Sequence, residues 1–296
     1  MSPDSQPTVL SLVEHWADRL EAAGLSQADG FGQGTLTAFD EAAWLVLWRL
    51  GLPLDELDEV ESKLVTPADA AQVANLLEAR ISNRQPAAYL TKEAWLQGVP
   101  FYVDERVIIP RSLIAELLAD GDIDPWLSVD TRRVLDLCTG NGSLAVLAAL
   151  CYPDVSVDAA DISPDALAVA RINVDRHQLQ DRITLIESDG LAACPGPYDL
   201  ILCNPPYVNA ASMAALPAEF RAEPALALAG GEDGMDFIRS LFLNAAGHMS
   251  ENGILVLEIG NERENFERAF PHLEPLWFET SAGPDQVLLL TRQQLA

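Results

Sequence analysis

The chain has 296 residues, 49% of them hydrophobic, and a formal net charge of −27, which supplies material for one or two cored domains under a surface that repels a nucleic-acid backbone and attracts basic partners. Such acidity serves equally as a solubility or salt adaptation, because net charge bears on association and not on fold. Residues 1–6 are not basic and precede no long apolar stretch, no run reaches the ~18 apolar residues of a membrane helix, and Cys138, Cys151, Cys194 and Cys203 lack metal-type spacing, so a cytoplasmic protein with reduced thiols is expected.

In chain order, residues 7–90 read as all-helical. Val9, Leu12, Val13, Trp16 and Leu20 recur at helical spacing, as do Ala43, Trp44, Leu47 and Leu50. Pro67 opens a third pattern with Ala71, Ala74, Leu77 and Ile81 on one face; Thr66 is placed to cap it, with Asp69 at the positive end. Residues 30–34 form a glycine-rich turn and not a phosphate loop, because no lysine follows. The character then changes: Trp95, Leu96, Val99, Phe101 and Val103 around Gly98 predict a β-hairpin. Val107-Ile108-Ile109-Pro110-Arg111 leads on into a helix near Ser112. These shifts divide the chain into a helical domain at 1–90, a hairpin linker at 91–110 and a larger domain at 111–296. Arg111, by position, reads as a surface charge.

From Arg133 the pattern alternates. Short apolar strands at 134–138, 155–160, 183–186, 200–203 and 254–259 are separated by helices at 144–150, 164–176 and 235–249, which predicts a doubly wound, mainly parallel α/β sheet. The end differs, because 276–279 and 286–290, joined by Ala282-Gly283-Pro284-Asp285, read as an antiparallel pair. Seven strands closed by a terminal hairpin is the architecture of the S-adenosylmethionine-dependent methyltransferases.

The first strand and its turn read Val134-Leu135-Asp136-Leu137-Cys138-Thr139-Gly140-Asn141-Gly142-Ser143. Gly140 and Gly142 permit a tight turn and close approach of backbone to a ligand at a helix start. With Ala145 the run also satisfies the dinucleotide fingerprint. Asp161 ends the second strand, placed for two ribose hydroxyls in either cofactor class. Asp136 is odd beside a phosphate and sensible beside a cation; its alternative is a carboxylate that caps the loop. Asp189, after the third strand, is placed to accept from an adenine amino group or to cap a helix.

The fourth strand stops at Asn204-Pro205-Pro206-Tyr207. The prolines have no N–H and stiffen the loop, so carbonyl oxygens are left without ladder partners. Asn204 sits at the carboxyl end of the strand, where open sheets hold their ligands, and its amide both donates and accepts. A planar amino group lying against the Tyr207 ring can donate to Asn204 and to the Pro205 carbonyl. The plainer reading is a proline-rich turn.

VLDLCTGNGS at 134–143, DISPDALAVA at 161–170 and NPPY at 204–207 together resemble the family of amide-nitrogen methyltransferases that modify glutamine in translation proteins. The resemblance covers nearly the whole chain, with the helical domain and the VDERVIIPR joint. One branch of that family acts on the Gly-Gly-Gln glutamine of peptide-chain release factors, the other on a glutamine of the third protein of the large ribosomal subunit, L-3. AAYLTKEAWLQGVPFYVDERVIIPRS and LPAEFRAEPALALAGGEDG are similar to the second branch. The chain departs from the first at Pro110-Arg111-Ser112-Leu113, where release-factor enzymes carry Pro-Arg-Pro-Glu, and at Gly190, where they often carry tryptophan.

The resemblance implies S-adenosyl-L-methionine as cofactor, held by Cys138, Thr139, Gly140, Asn141, Gly142 and Asp161. It also implies that Asn204 touches cofactor and substrate, that Asn204, Pro205, Pro206 and Tyr207 hold the target amide, and that Glu223 and Pro224 support that loop. The expected substrate is ribosomal protein L-3, with no stable nucleic-acid binding, no membrane and no metal. The sulfonium is already a good leaving group, and His177, His248 and His272 lie outside the motifs. Four alternatives stay open: a release-factor substrate, an adenine amine in DNA held by the same tetrapeptide, a nicotinamide dehydrogenase, and a ribosome-assembly module without catalysis.

Overall fold

The computed structural model describes residues 6–25 and 34–296; residues 30–33 of the glycine-rich turn lie outside them. The chain forms two compact units, one of residues 1–93 with Pro217–Ala222, the other of residues 94–216 and 223–296.

The first unit is helical: α1 (Val9–Ala22), α2 (Ala38–Leu50), α3 (Leu57–Val60), α4 (Pro67–Asn83) and α5 (Ala87–Thr91). Threonines start the three long helices. Thr8, Thr37 and Thr66 accept from the backbone N–H of Ser11, Asp40 and Asp69, which satisfies one orphan donor of each first turn. Val9, Val13, Leu20, Leu45, Leu47 and Leu77 lie in its core. The buried stripe of α4 differs from the one expected. Val73, Leu77 and Arg80 face inward, while Ala71 is exposed. An arginine can occupy that stripe because carboxylates meet it: Arg80 Nε donates to Glu41 at 2.6 Å and Nη1 to Glu219 at 3.2 Å, all three buried. Glu219 arrives on Pro217–Ala222, a segment far away in sequence.

The second unit opens with the expected hairpin, β1 (Glu93–Leu96) and β2 (Val99–Tyr102), and α6 (Ile114–Asp120). Then follow β3 (Arg133–Leu137), α7 (Ser143–Cys151), β4 (Ser156–Asp161), α8 (Pro164–Arg176), β5 (Ile183–Glu187), β6 (Tyr198–Cys203), α9 (Ala210–Ala215), α10 (Asp236–His248), β7 (Met249–Glu258), α11 (Arg263–Ala269), β8 (Leu276–Thr280), β9 (Gly283–Thr291) and α12 (Arg292–Leu295). The seven-stranded sheet has the order β5-β4-β3-β6-β7-β9-β8, parallel through β7 and antiparallel at β9 and β8. The methyltransferase-type sheet expected from the strand pattern is therefore present, terminal hairpin included. Two apolar clusters cover it, one around Val146, Val157 and Leu200, the other around Leu135, Ile201 and Leu257.

Strand order reverses between β3 and β6, which opens a crevice at their carboxyl ends. Register sets what meets there. Leu137 pairs with Ala160 on one side and with Cys203 on the other, and Cys203 pairs with Leu257. The next residues, Cys138, Asp161, Asn204 and Glu258, therefore leave the sheet side by side.

Candidate active site

A cavity of about 180 Å³ lies over these strand ends. Of the residues singled out in the sequence, Cys138, Gly140, Asp161, Asp189, Asn204 and Pro206 line it. Asp136, Thr139, Asn141, Gly142, Pro205 and Tyr207 are not part of its wall. A larger depression, about 430 Å³, sits beside Asp124, Arg132 and Tyr152 at the amino ends of the strands, the end of an open sheet that does not hold ligands.

The turn after β3 is held from behind. Asp136 is 1% exposed, and one oxygen accepts from the Thr139 hydroxyl and from the Ala145 N–H, 2.9 Å away, in the first turn of α7. Its other oxygen, Oδ1, is buried without a hydrogen-bond partner among the described residues. Burial pushes the carboxyl up to about 7. Both readings of this residue thus meet in one side chain, a cap on one oxygen and an unsatisfied acceptor on the other. Asn141 accepts from the Ser143 N–H, and Asn173 donates to the Asn141 carbonyl at 2.8 Å. Cys138 takes a left-handed φ of 63°, a sparsely populated conformation for a side-chain-bearing residue. The hydrogen bond with the neighbouring Cys203, and then burial, raise its thiol well above the ordinary value.

Asp161 accepts from the Gly140 N–H on one oxygen and from the Ser163 N–H on the other, both at 2.9 Å. Each oxygen keeps a lone pair for a ligand hydroxyl, and burial raises the carboxyl above its ordinary value. Asp189 is exposed at the cavity wall, and the residues after it form a turn and not a helix, so helix capping does not account for it.

Asn204 is half-buried and lines the cavity. Tyr207 is half-buried. Its hydroxyl donates to Glu258 at 3.2 Å, and its ring lies against Gly260, where a Cβ would come within 2.5 Å of Cε2. Arg111 also departs from the sequence reading. It is no free surface charge, because both terminal nitrogens donate to Glu223, at 2.6 and 2.7 Å. Glu223 accepts from the Ile109 N–H as well, so it straps the 109–111 joint while its neighbour Pro224 lines the cavity.

Arg106, Phe237 and Glu258 are not among the site residues that the sequence pointed to. Arg106 and Phe237 line the cavity; Arg106 is held by two hydrogen bonds to Asp104, at 2.9 and 2.6 Å. Glu258 stands beneath Tyr207. Its one sequence signal is a carboxylate directly after the apolar run Ile254-Leu255-Val256-Leu257.

Residues 123–230 match the family model described as methyltransferase small domain. The chain is 52% identical to the ribosomal protein uL3 glutamine methyltransferase of Bordetella pertussis, over 97% of this chain and 96% of that one. It is 49% identical to the protein of the same name from Burkholderia pseudomallei, over 99% and 97%, and 47% identical to that of Neisseria meningitidis serogroup A, over 97% and 94%. Among solved structures, a ribosomal protein L11 methylase from Lactobacillus delbrueckii subsp. bulgaricus is 21% identical, with a TM-score of 0.43 over 64% of this chain and 84% of its own; the assignment does not rest on it. On nearly full-length identity to these relatives, the chain belongs to the ribosomal protein uL3 glutamine methyltransferase family.

Proposed function

We propose that this protein transfers a methyl group from S-adenosyl-L-methionine to the side-chain amide nitrogen of a glutamine in ribosomal protein uL3. The observation that carries the reading is Asn204. Its amide lines the same cavity as Gly140, Asp161 and Asp189 and stands beside the Pro205 carbonyl, which takes no hydrogen bond among the described residues.

The donor set fits the cofactor. Asp136 stands behind the cavity wall, and its Oδ1 is a buried acceptor without a donor among the described residues, so its charge favours an ammonium or sulfonium held at the turn. Asp161 offers lone pairs to two ribose hydroxyls, and Asp189 offers an acceptor to an adenine amino group. These are anionic acceptors, matched to cations, hydroxyls and amines and mismatched to a pyrophosphate, which supports the methyltransferase reading over the dehydrogenase one. When bound, S-adenosyl-L-methionine supplies a methyl group on a cationic sulfur.

The remaining work belongs to the chain. A carboxamide nitrogen is a poor nucleophile because its lone pair is delocalised into the carbonyl. Asn204 Oδ1 and the Pro205 carbonyl, each accepting one N–H, set the rotation of the target amide and favour positive charge building on nitrogen. Holding the nitrogen in line is worth up to ~7–11 kcal/mol of the barrier. The Pro-Pro backbone keeps that geometry with few accessible conformations. After transfer the methylated nitrogen loses one proton, which leaves through the hydrogen bond to the loop carbonyl or directly and ends on water.

Incubation with methyl-labelled cofactor and purified uL3, release factor or adenine-containing DNA tests the reading. Label on a uL3 glutamine, located by peptide mass spectrometry, is the expected result. Label only on release factor or DNA overturns it.

A further inference from the structure

Glu258 ends β7 directly beside Asn204 and is 3% exposed. Three donors converge on it. Tyr207 Oη donates to Oε1 at 3.2 Å, while Ser112 Oγ and the Leu113 N–H donate to Oε2 at 2.6 and 2.9 Å. The donors come from two segments, the loop after β6 and the entry to α6, so one carboxylate ties them together. Glycine backbone packs closely around Tyr207. A Cβ at Gly230 would lie 2.7 Å from the Tyr207 Cα, one at Gly234 2.3 Å from its carbonyl oxygen, and one at Gly260 2.5 Å from the ring. Contacts under 3 Å are not tolerated in a close-packed interior, so the three glycines let the surrounding backbone close on this residue.

We propose that Glu258 is a positioning residue for methyl transfer: through the Tyr207 hydroxyl it sets the 204–207 loop in the one conformation that presents the Asn204 amide and the Pro205 carbonyl to the cavity. The proposal rests on the reading of that loop as the holder of the target amide. Both oxygens of the carboxylate are needed, since one serves the loop and the other serves Ser112 and Leu113. A glutamine in its place has one acceptor oxygen and no charge, so the Tyr207 hydroxyl must turn to accept from its amide and the charge-assisted bond to the loop is lost. A carboxylate that served only to cap the entry of α6 would make the Tyr207 hydroxyl dispensable, and that is the competing account.

The test compares wild type, Tyr207→Phe, Glu258→Gln and the double variant, by steady-state kinetics on uL3, by S-adenosylhomocysteine binding, and by amide hydrogen exchange in a peptide spanning 204–210. Loss of a buried charge-assisted hydrogen bond corresponds to about tenfold or more. Each single variant is therefore expected to lower kcat about tenfold, with KM for uL3 and the S-adenosylhomocysteine Kd within about threefold of wild type. The double variant is expected to match the worse single one, because both remove the same bond. Exchange at Tyr207 and Val208 is expected to quicken in all three. Losses that multiply in the double variant, or exchange unchanged in Tyr207→Phe, overturn the proposal. Tyr207→Phe removes a single oxygen, so it decides the matter alone where Glu258→Gln does not fold. Exchange needs no turnover: if wild type transfers no methyl to uL3, the function reading falls, and the exchange result still upholds or overturns the role of Glu258 in ordering the loop.

Discussion

At the residue scale, Asn204 and Asp136 make separable predictions. Asn204→Ala removes one preorganised acceptor of the transition state, a loss that elsewhere costs ~10²–10³ in kcat. The S-adenosylhomocysteine Kd is expected to move far less, because the other cavity acceptors remain. Near-normal turnover with uL3 removes Asn204 from the mechanism. Asp136 governs pH dependence. Its carboxyl stands at about 7 in the folded protein against an ordinary 3.8, so between those values the free enzyme holds a proton that the unfolded chain has released. Its contribution to stability is therefore present below about pH 4 and lost as pH rises through about 7. A cationic ligand reverses the preference, since it pairs with the ionised form. Affinity for S-adenosyl-L-methionine is thus expected to rise between pH 5 and 7 and then level off, with uptake of a proton by buffer at pH 6. Asp136→Asn should flatten the profile. Calorimetry in buffers of different ionisation enthalpy reads this directly, and a flat profile in wild type makes Asp136 a cap and nothing more.

At the element scale, α4 shows how a helix of ordinary sequence acquires an unusual buried face. Arg80 is 0% exposed and meets two carboxylates, Glu41 from α2 and Glu219 from a segment 139 residues later. Such a group adds little net stability when intact, yet removing Arg80 leaves Glu41 as an uncompensated buried charge, at ~3–5 kcal/mol, while Glu219 keeps the Arg84 guanidinium 2.7 Å away. Arg80→Ala is therefore expected to lower the urea midpoint of the helical unit sharply, read by the fluorescence of Trp16, Trp44 and Trp48. Replacing Arg80, Glu41 and Glu219 together by apolar residues of similar volume should restore most of the loss. A mild effect of Arg80→Ala alone would show that water reaches the cluster. The periodicity of 67–83 was legible in the sequence, but its burial was not, because apolar spacing alone cannot anticipate a charge neutralised from elsewhere in the chain.

At the scale of the whole molecule, the net charge of −27 bears on encounter with a basic substrate. A ribosomal protein that contacts RNA is expected to be basic, and an acidic enzyme attracts it. Raising ionic strength shortens screening to ~8 Å near physiological salt, so kcat/KM on whole uL3 should fall with salt while kcat changes less. A short neutral peptide with the same glutamine should show little salt dependence. An identical response of the two substrates excludes steering and leaves the acidity to solubility.

Local and periodic information sufficed for much of this protein. The alternation of strand and helix, the Thr66–Pro67 helix start, the glycine turn at 140–142 and the abrupt stop at Asn204-Pro205-Pro206-Tyr207 are all short-range signals, written by side-chain period and backbone restriction within a few residues. So are the doubly wound sheet and the acidic residues at its strand ends. Partners distant in sequence were decided by tertiary structure alone. Register brings Glu258 beside Asn204, Glu223 reaches Arg111 across 112 residues, and Gly230, Gly234 and Gly260 close on Tyr207 from segments 23 to 53 residues beyond it. Hydrogen bonds and close backbone contacts of this kind leave no periodic trace in the chain, because they depend on where strands end relative to one another, and only the folded sheet sets that.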